Sequence, residues 1–507
     1  MRNKTSFILF PIFAILSAIF LYFFSISTSP LYHYWGFDSA IFMVVGKSMV
    51  AGRKLYTEIF DHKGPILFFI EYIGWKIGGV KGIFTLQVIN LTAVLFITHK
   101  IAQEFKCPAK TTFIFIGGIF SFLCFTNLEG NQSEEYCLPF LLISTYCAIK
   151  YTLISNESKH PPLYALLYGI CFTLIAFNRI TNAGPIGGIV LGIIIYLLIA
   201  KEWKNLLSNA IFFILGIVST ATLISAYFIY NHSLYDMLYG TFIFNYKYSQ
   251  FVSSGHLLES LFIISRKNFI FFTIKVTPIL LLLASSLFIH IKKRNLKLLL
   301  ISWGIGICTY IAINMGLVSY HYITISIIPL TIGLILTYRI IFDKITPNKL
   351  IKTVCSIYVI LMFAIFIFEG RGVIRIYKES NSDSLAPSEF RHYIDKQLVL
   401  KEIVPEERNS VFGYNLPPTW YLETDMIPPF KYFTNQETWI KSDSLIYFEI
   451  SSYLKNTPPR WIVIPGYNIV PWVKGVDSNP VLKELIKKRY ILKATDINHQ
   501  YYRRKDD

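Results

Sequence analysis

Charged residues are scarce in this chain of 507 residues. Asp, Glu, Lys and Arg make up 16% of it, against about a quarter in soluble domains, which excludes a wholly soluble globular protein. Acidic residues are scarcer still, 31 against 48 Lys and Arg. The resulting charge of +17 is uneven: residues after 370 carry 20 basic and 17 acidic side chains, which leaves 28 and 14 to the apolar first 370. Basic residues interleaved with apolar runs make a poor groove for nucleic acid, so that partner is excluded too. There are seven cysteines, at 107, 124, 137, 147, 171, 308 and 355. No CxxC pair is among them and none lies in the tail, so no disulfide framework or cysteine metal site is indicated. They read as small apolar residues. A short signal-peptide core with a small-residue cleavage site is missing. Internal repeats and low-complexity tracts are missing as well.

Hydrophobic residues are abundant, at 53%. Behind the basic start Met1-Arg2-Asn3-Lys4, Phe7 to Ser27 is apolar for about 20 residues, enough to cross the hydrocarbon core. It reads as a retained helix with its N-terminus in the cytoplasm. Further spans are expected at 83–103, 111–127, 137–154, 163–178, 183–200, 206–230, 269–290, 297–317, 321–340 and 350–369, about 11 in all. The loops alternate in character. Lys106/Lys110, Lys159, Lys201/Lys204, Lys292/Lys293/Arg294/Lys297 and Lys344/Lys349/Lys352 fall on one side, while acidic and aromatic loops fall on the other. This is a positive-inside pattern, and it puts the C-terminal region outside the plasma (inner) membrane.

The most informative stretch is the first outer loop, residues 29–82, and within it Asp38 to Pro65. So polar a run does not cross a bilayer. From Ile41 to Val50 the apolar residues follow helical spacing with Lys47 and Ser48 on the other side, which predicts an amphipathic helix in the headgroup plane. Pro65–Lys76 predicts a second interfacial or re-entrant helix. Asp38 opens the first as a candidate acid or a helix cap. Asp61-His62-Lys63 puts three ionisable groups in a row at a membrane face, more than a turn before a proline-started helix needs. Three other outer sites stand out: Glu134 and Glu135 in NLEGNQSEEY, an ordinary solvated loop if read alone; Arg179, interrupting an apolar region, as a functional arginine or one snorkelling to the interface; and Tyr320-His321-Tyr322, where an aromatic belt leaves His321 unexplained. After Gly370, prolines punctuate short β-prone runs (Asn409–Tyr414, Arg460–Pro465) and Leu482–Lys488 reads as a helix. The expectation is a membrane domain over 1–369 and a small extracytoplasmic α/β domain over 370–507. The tail's rings (Trp420, Tyr421, Tyr432, Phe433, Trp439) either pack its core or stack on sugars.

Taken together, the early Asp followed by GRKLYTEIFDHKGP resembles the integral-membrane glycosyltransferases of the GT-C fold. The branch is that of the protein O-mannosyltransferases and the aminoarabinose transferase acting on lipid A. Gly64 stands where that branch usually has the first proline of Asp-x-Lys-Pro-Pro. NLEGNQSEEYCLPF is similar to the second outer loop of bacterial members, and SYHYITISIIPL to their His-Tyr-Tyr segment. The resemblance covers most of residues 30–340. It implies a transferase that takes a sugar from a polyprenyl-phosphate or diphosphate carrier and gives it to a glycan, lipid or protein acceptor. It places Asp38 near the acceptor as catalytic acid–base residue, and Lys63 near the carrier phosphate. Arg179 falls where relatives have a lysine, in RITNAGP rather than a Lys-Gly-Pro-like segment. Asp61, His62, Glu134, Glu135, His321 and Tyr322 are left as supporting, acceptor- or metal-binding residues, with Asp61 and Glu134 as candidate ligands of a divalent metal ion.

These residue types suit the reaction. A hydroxyl that displaces phosphate at the anomeric carbon must lose a proton to a carboxylate. The leaving phosphate gains charge that Lys63, Arg179 or a divalent metal would stabilise. One in-line displacement inverts the anomeric centre without a second, nucleophilic carboxylate. A polysaccharide flippase or transporter would carry ionisable residues nearer mid-bilayer. A polymerase or ligase of another membrane fold would concentrate its charges in large late outer loops, for which 231–268 is the candidate here. A non-enzymatic scaffold or receptor would use the tail as its binding module.

Overall fold

A computed structural model of the chain describes residues 2–32, 36–127, 129–154, 157–252, 269–315, 319–342, 349–369, 374, 394–466 and 479–505. Long apolar runs become helices because each then satisfies its own backbone hydrogen bonds away from water. Helices cover Arg2–Phe24, Val80–Glu104, Thr112–Thr126, Ser133–Leu153, Pro162–Arg179, Gly184–Ile199, Trp203–Tyr230, Phe269–Lys293, Leu296–Asn314, Ile327–Phe342 and Lys349–Glu369. Among the described residues, eight stretches are long and apolar enough to span a membrane, against the eleven expected. Helices Arg2–Phe24 and Lys349–Glu369 occupy the first and last expected spans, and Pro162–Ile199 is one continuous stretch of 38 residues that holds two of them.

That stretch is a hairpin. A straight helix of its length would run roughly 57 Å, nearly twice the hydrocarbon thickness. Instead Arg179 leaves the helical region (φ −158°, ψ 114°) and a 3₁₀ turn, Ile180–Ala183, leads into the next helix. Ala165 and Tyr168, early in the first arm, line one cavity with Ile193 and Leu197, late in the second, so the arms run antiparallel. Gly184–Ile199 lies backbone to backbone on Leu296–Asn314: a Cβ at Gly188 would sit 2.1 Å from the Gly304 carbonyl oxygen. Small residues at such crossings let membrane helices approach closely.

Near the open end of the hairpin, the buried His160 ties the first arm to helix Trp203–Tyr230. Asn209 Nδ2 donates to the carbonyls of His160 and Asn205, which turns its Oδ1 to His160 Nδ1 at 2.6 Å. The ring is therefore the neutral Nδ1–H tautomer, and Nε2 accepts from the Tyr168 hydroxyl at 3.3 Å. Burial pushes the imidazole down to about 4. Between that value and the ordinary 6.5 the unfolded chain binds the extra proton, so this residue's contribution is complete above pH 6.5 and is lost as pH falls toward 4. A shift of that size corresponds to roughly 3 kcal/mol. Melting curves of the detergent-solubilised protein should show a drop in stability over this window that His160→Gln largely removes; an unchanged slope in the variant would refute the assignment.

Contacts group the chain into two compact units interleaved in sequence. One comprises Met1–Ser25, Thr85–Tyr227 and Gly255–Ile374; the other comprises Ile26–Phe84, Phe228–Ser254 and Arg375–Asp507. The expected boundary at 369/370 lies beside residues outside the described ones, and most of the first outer loop is grouped with the tail.

In this second unit, helix Phe37–Val50 packs on helix Pro65–Gly78. A Cβ at Gly46 would come within 2.8 Å of Glu71 Cβ and carbonyl carbon, so only glycine allows the crossing. The amphipathic reading of this helix is corrected here: Lys47 and Ser48, assigned to its polar side, are buried. Lys47 Nζ pairs with Asp425 at 2.6 Å and points at the carbonyls of Tyr421 and Met426. A helix with a covered polar face satisfies its lysine through the tail, and Ser48 through the Val44 carbonyl. Burial holds Lys47 below its ordinary value despite Asp425.

The tail forms a four-stranded sheet. β1 (Val411–Gly413) pairs parallel with β2 (Trp461–Pro465), which pairs antiparallel with β4 (His499–Arg504), which pairs antiparallel with β3 (Tyr490–Thr495). Trp420, Tyr421, Tyr432, Phe433 and Trp439 are each no more than 2% exposed. These rings make the core, and sugar stacking is not open to them.

Candidate functional site

Two clusters gather the residues singled out in the sequence, one in each unit. In the second unit, the chain before Asp61 is held by Phe60, whose N–H donates to the Lys431 carbonyl at 3.0 Å. Asp61 is buried, and its Oδ1 accepts from the Lys63 backbone N–H at 3.0 Å. This turn throws the His62 and Lys63 side chains together, with Nζ 3.1 Å from His62 Nε2. His62 Nδ1 lies 3.6 Å from Asp61 Oδ2. Around them, the Tyr56 hydroxyl donates to the Lys63 carbonyl at 2.7 Å and Asn245 Nδ2 to the His62 carbonyl at 2.5 Å. Tyr56 adopts a left-handed φ of 66°, a conformation that costs an L residue roughly 1–2 kcal/mol. The His62 ring leans on Tyr248 with centroids 5.2 Å apart.

Burial and then the Lys63 charge hold His62 below its ordinary value, an effect Asp61 and Asp38 only partly offset. At neutral pH the ring is uncharged, so Nε2 accepts from the Lys63 ammonium and Nδ1–H faces Asp61. Burial by itself would raise Asp61; the His62 ring, the Lys63 charge and the Lys63 N–H outweigh it and keep the carboxyl ionised. Asp38 is half-buried on the first turn of Phe37–Val50, where Gly36 occupies the cap position. Capping therefore does not account for Asp38, and its charge acts on His62.

In the first unit, Glu134 and Glu135 open helix Ser133–Leu153 and both are buried. Successive helical residues point in different directions, and the two carboxylates have separate partners. Glu134 forms an ion pair with Arg179 and accepts from the Ser133 hydroxyl. The Arg179 guanidinium carbon sits 3.6 Å above the centroid of the Tyr322 ring, a stacked geometry that arginine adopts more readily than lysine. Arg179 retains 17% side-chain exposure while Glu134 has none, so the open edge of the pair is the cation. Glu135 instead accepts from Gln87 Nε2, Asn127 Nδ2 and the Asn131 backbone N–H, at 3.0 to 3.2 Å. Its role is to clamp the NLEGNQSEEY loop to helix Val80–Glu104. His321 reaches this cluster through Tyr322, whose ring stands edge-on to it at 4.5 Å, and its Nδ1 meets Ser319 Oγ at 2.8 Å.

Two solved structures share this architecture. ArnT from Cupriavidus metallidurans with bound undecaprenyl phosphate aligns over 97% of this chain and 97% of its own, with a TM-score of 0.54 at 11% identity. The same protein in its apo state aligns over 99% and 98%, again at 0.54 and 11%. The fold is that of ArnT. It is the GT-C fold that the first-loop motif pointed to, here on an integral membrane protein with a small C-terminal sheet region. No family model matches the sequence, and no curated protein matches it significantly.

Within the ArnT fold, several contributors escaped the sequence reading. Gln87, Asn127 and Asn131 complete the Glu135 clamp, and Tyr56, Asn245 and Tyr248 hold the His62–Lys63 backbone and ring. Only their positions in three dimensions reveal them. Lys275 is different, because a lysine inside an apolar run is itself a signal; it is buried and bonds Asn314 Oδ1. The expected metal pair, Asp61 and Glu134, falls in separate units, each carboxylate already engaged by protein donors. Among the described residues no group of three or more His, Cys, Asp or Glu side chains is placed to hold a metal ion.

Proposed function

We propose that this protein is an inverting glycosyltransferase. It moves a sugar from a polyprenyl-phosphate-type carrier to a hydroxyl of a cell-surface glycan, lipid or protein, at the outer face of the plasma membrane. The observation that carries the reading is the turn of Asp61, His62 and Lys63 in the unit that also holds Asp38: a buried carboxylate beside a neutral imidazole that holds a lysine ammonium. The ArnT fold supports it, since one ArnT structure contains undecaprenyl phosphate.

In this mechanism the acceptor oxygen attacks the anomeric carbon as the bond from that carbon to the phosphate oxygen breaks. Asp38 takes the hydroxyl proton. The bonding pair leaves with the phosphate, and the Lys63 ammonium stabilises the charge that develops. Asp61 and His62 position that ammonium: a neutral His62 accepts one of its N–H bonds without competing for the phosphate. Arg179, stacked on Tyr322 and balanced by Glu134, is assigned to the donor as well, through its exposed edge.

The test is transfer from labelled polyprenyl-phosphate sugar in membranes containing the protein. Lys63→Met should raise the donor KM about tenfold or more, the scale of a lost charge-assisted contact, with the acceptor KM little changed. Wild-type dependence on donor in this variant would remove Lys63 from the phosphate site. The topology has its own check. With the native cysteines replaced, Asn456→Cys on the exposed end of helix Ser444–Asn456 should react with an impermeant maleimide added outside intact cells. Reaction only after permeabilisation would place the tail in the cytoplasm and overturn the outer-face assignment.

A further inference from the structure

The first unit has a second built feature, far from Glu134 and Arg179. Helix Ser133–Leu153 carries Glu134 at one end and Leu153 at the other, about 29 Å away at 1.5 Å per residue. A cavity of about 250 Å³ opens at the Leu153 end. Its polar lining is Glu104, Lys106, Lys293, Asn295 and Arg339; its apolar lining is Phe105, Leu153, Ile289 and Leu298. Three cations thus come from three separate parts of the chain: the end of Val80–Glu104, the end of Phe269–Lys293 and the last turn of Ile327–Phe342. Among the described lining residues one carboxylate, Glu104, accompanies them, and its Oε1 accepts from the Tyr146 hydroxyl at 3.0 Å. Asn295 is occupied as well, capping helix Leu296–Asn314 and donating to the Thr152 carbonyl.

We propose that this cavity binds the phosphate of an anionic membrane phospholipid. Lys106, Lys293 and Arg339 would meet the phosphate, and the apolar wall would take the first carbons of the acyl chains. Two observations favour a lipid over a soluble anion. The wall of the cavity, at the ends of three apolar helices, is half apolar. Lys106 and Lys293 are exposed at the mouth while Arg339 is half-buried within, a graded approach for a charged head on an apolar body. Basic pockets between membrane helices on the positive face are where anionic headgroups dock. The inference does not depend on the transferase reading, because the cavity shares no residue with Asp38, Asp61, His62, Lys63, Glu134 or Arg179.

The test uses the full-length protein in neutral detergent, exposed to phosphatidylglycerol, phosphatidylcholine of identical chains, or inorganic phosphate. Native mass spectrometry reads the bound lipid, and melting temperature reads its effect. One phosphatidylglycerol should be retained and raise the melting temperature at concentrations where phosphatidylcholine does neither. Lys106→Gln/Lys293→Gln, at two exposed positions, should weaken that retention by about 25-fold, about fivefold per lysine near the surface. Lys110→Gln/Lys292→Gln removes the same charge from neighbouring positions outside the lining and should leave retention within about twofold. Equal losses in the two double variants would mean a diffuse surface field and overturn the site. Equal retention of the two lipids, or the whole thermal shift from inorganic phosphate alone, would overturn the lipid assignment.

Discussion

Asp38→Asn is expected to lower sugar transfer by about two orders of magnitude or more, the scale of a lost general base, while the protein still folds and inserts. The substitution keeps shape and removes charge. The fold gives it little else to disturb, because Gly36 rather than Asp38 takes the cap position of the helix. What the helix loses is a favourable carboxylate in its first turn, worth roughly 0.3–1 kcal/mol. His62 loses one of the charges that hold its protonated form up, so it stays neutral and continues to accept from Lys63. A fall in rate with unchanged melting therefore isolates the proton-accepting role. Initial rates with labelled donor and saturating acceptor measure it, and Asp38→Glu should recover part of the activity. If the Asn variant transfers at close to the wild-type rate, Asp38 is not the base.

Arg179→Ala is expected to cost about 3–5 kcal/mol of stability, the range seen when one partner of a buried ion pair is removed. Glu134 has no exposed side-chain surface, so without the guanidinium it must either hold an uncompensated charge or bind a proton. The ring of Tyr322 loses its stacked cation at the same time. Loss of activity in this variant would not by itself reveal a role in phosphate binding. Glu134→Gln/Arg179→Met separates the two effects. A neutral pair of similar volume should regain most of the stability, as measured by melting in detergent. If Arg179 also engages the donor, the double variant stays inactive despite folding; if it regains transfer, the arginine only holds the loop ends together.

The positions of the helices and the character of the loops between them were legible in the sequence. A helix satisfies its own backbone locally, so an apolar run of sufficient length needs no partner to declare itself. The break at Arg179 was legible for the same reason, as a charged and polar interruption followed by Gly184-Pro185. Cluster membership was partly legible. Asp61, His62 and Lys63 are adjacent in sequence, and the turn that joins their side chains needs only the Asp61 carboxylate and the Lys63 N–H.

Only the tertiary structure decided the rest. Glu134 and Glu135 look equivalent in sequence, yet one pairs with a cation 45 residues away and the other is clamped by neutral amides. Lys47 reads as the polar side of a surface helix until chain more than 370 residues later covers it. The tail's tryptophans and tyrosines fit either a sugar platform or a core until burial chooses the core. In each case the deciding energy is burial or charge pairing between distant segments. Such terms depend on which faces meet after the helices have formed, and residue spacing along the chain carries no record of that meeting.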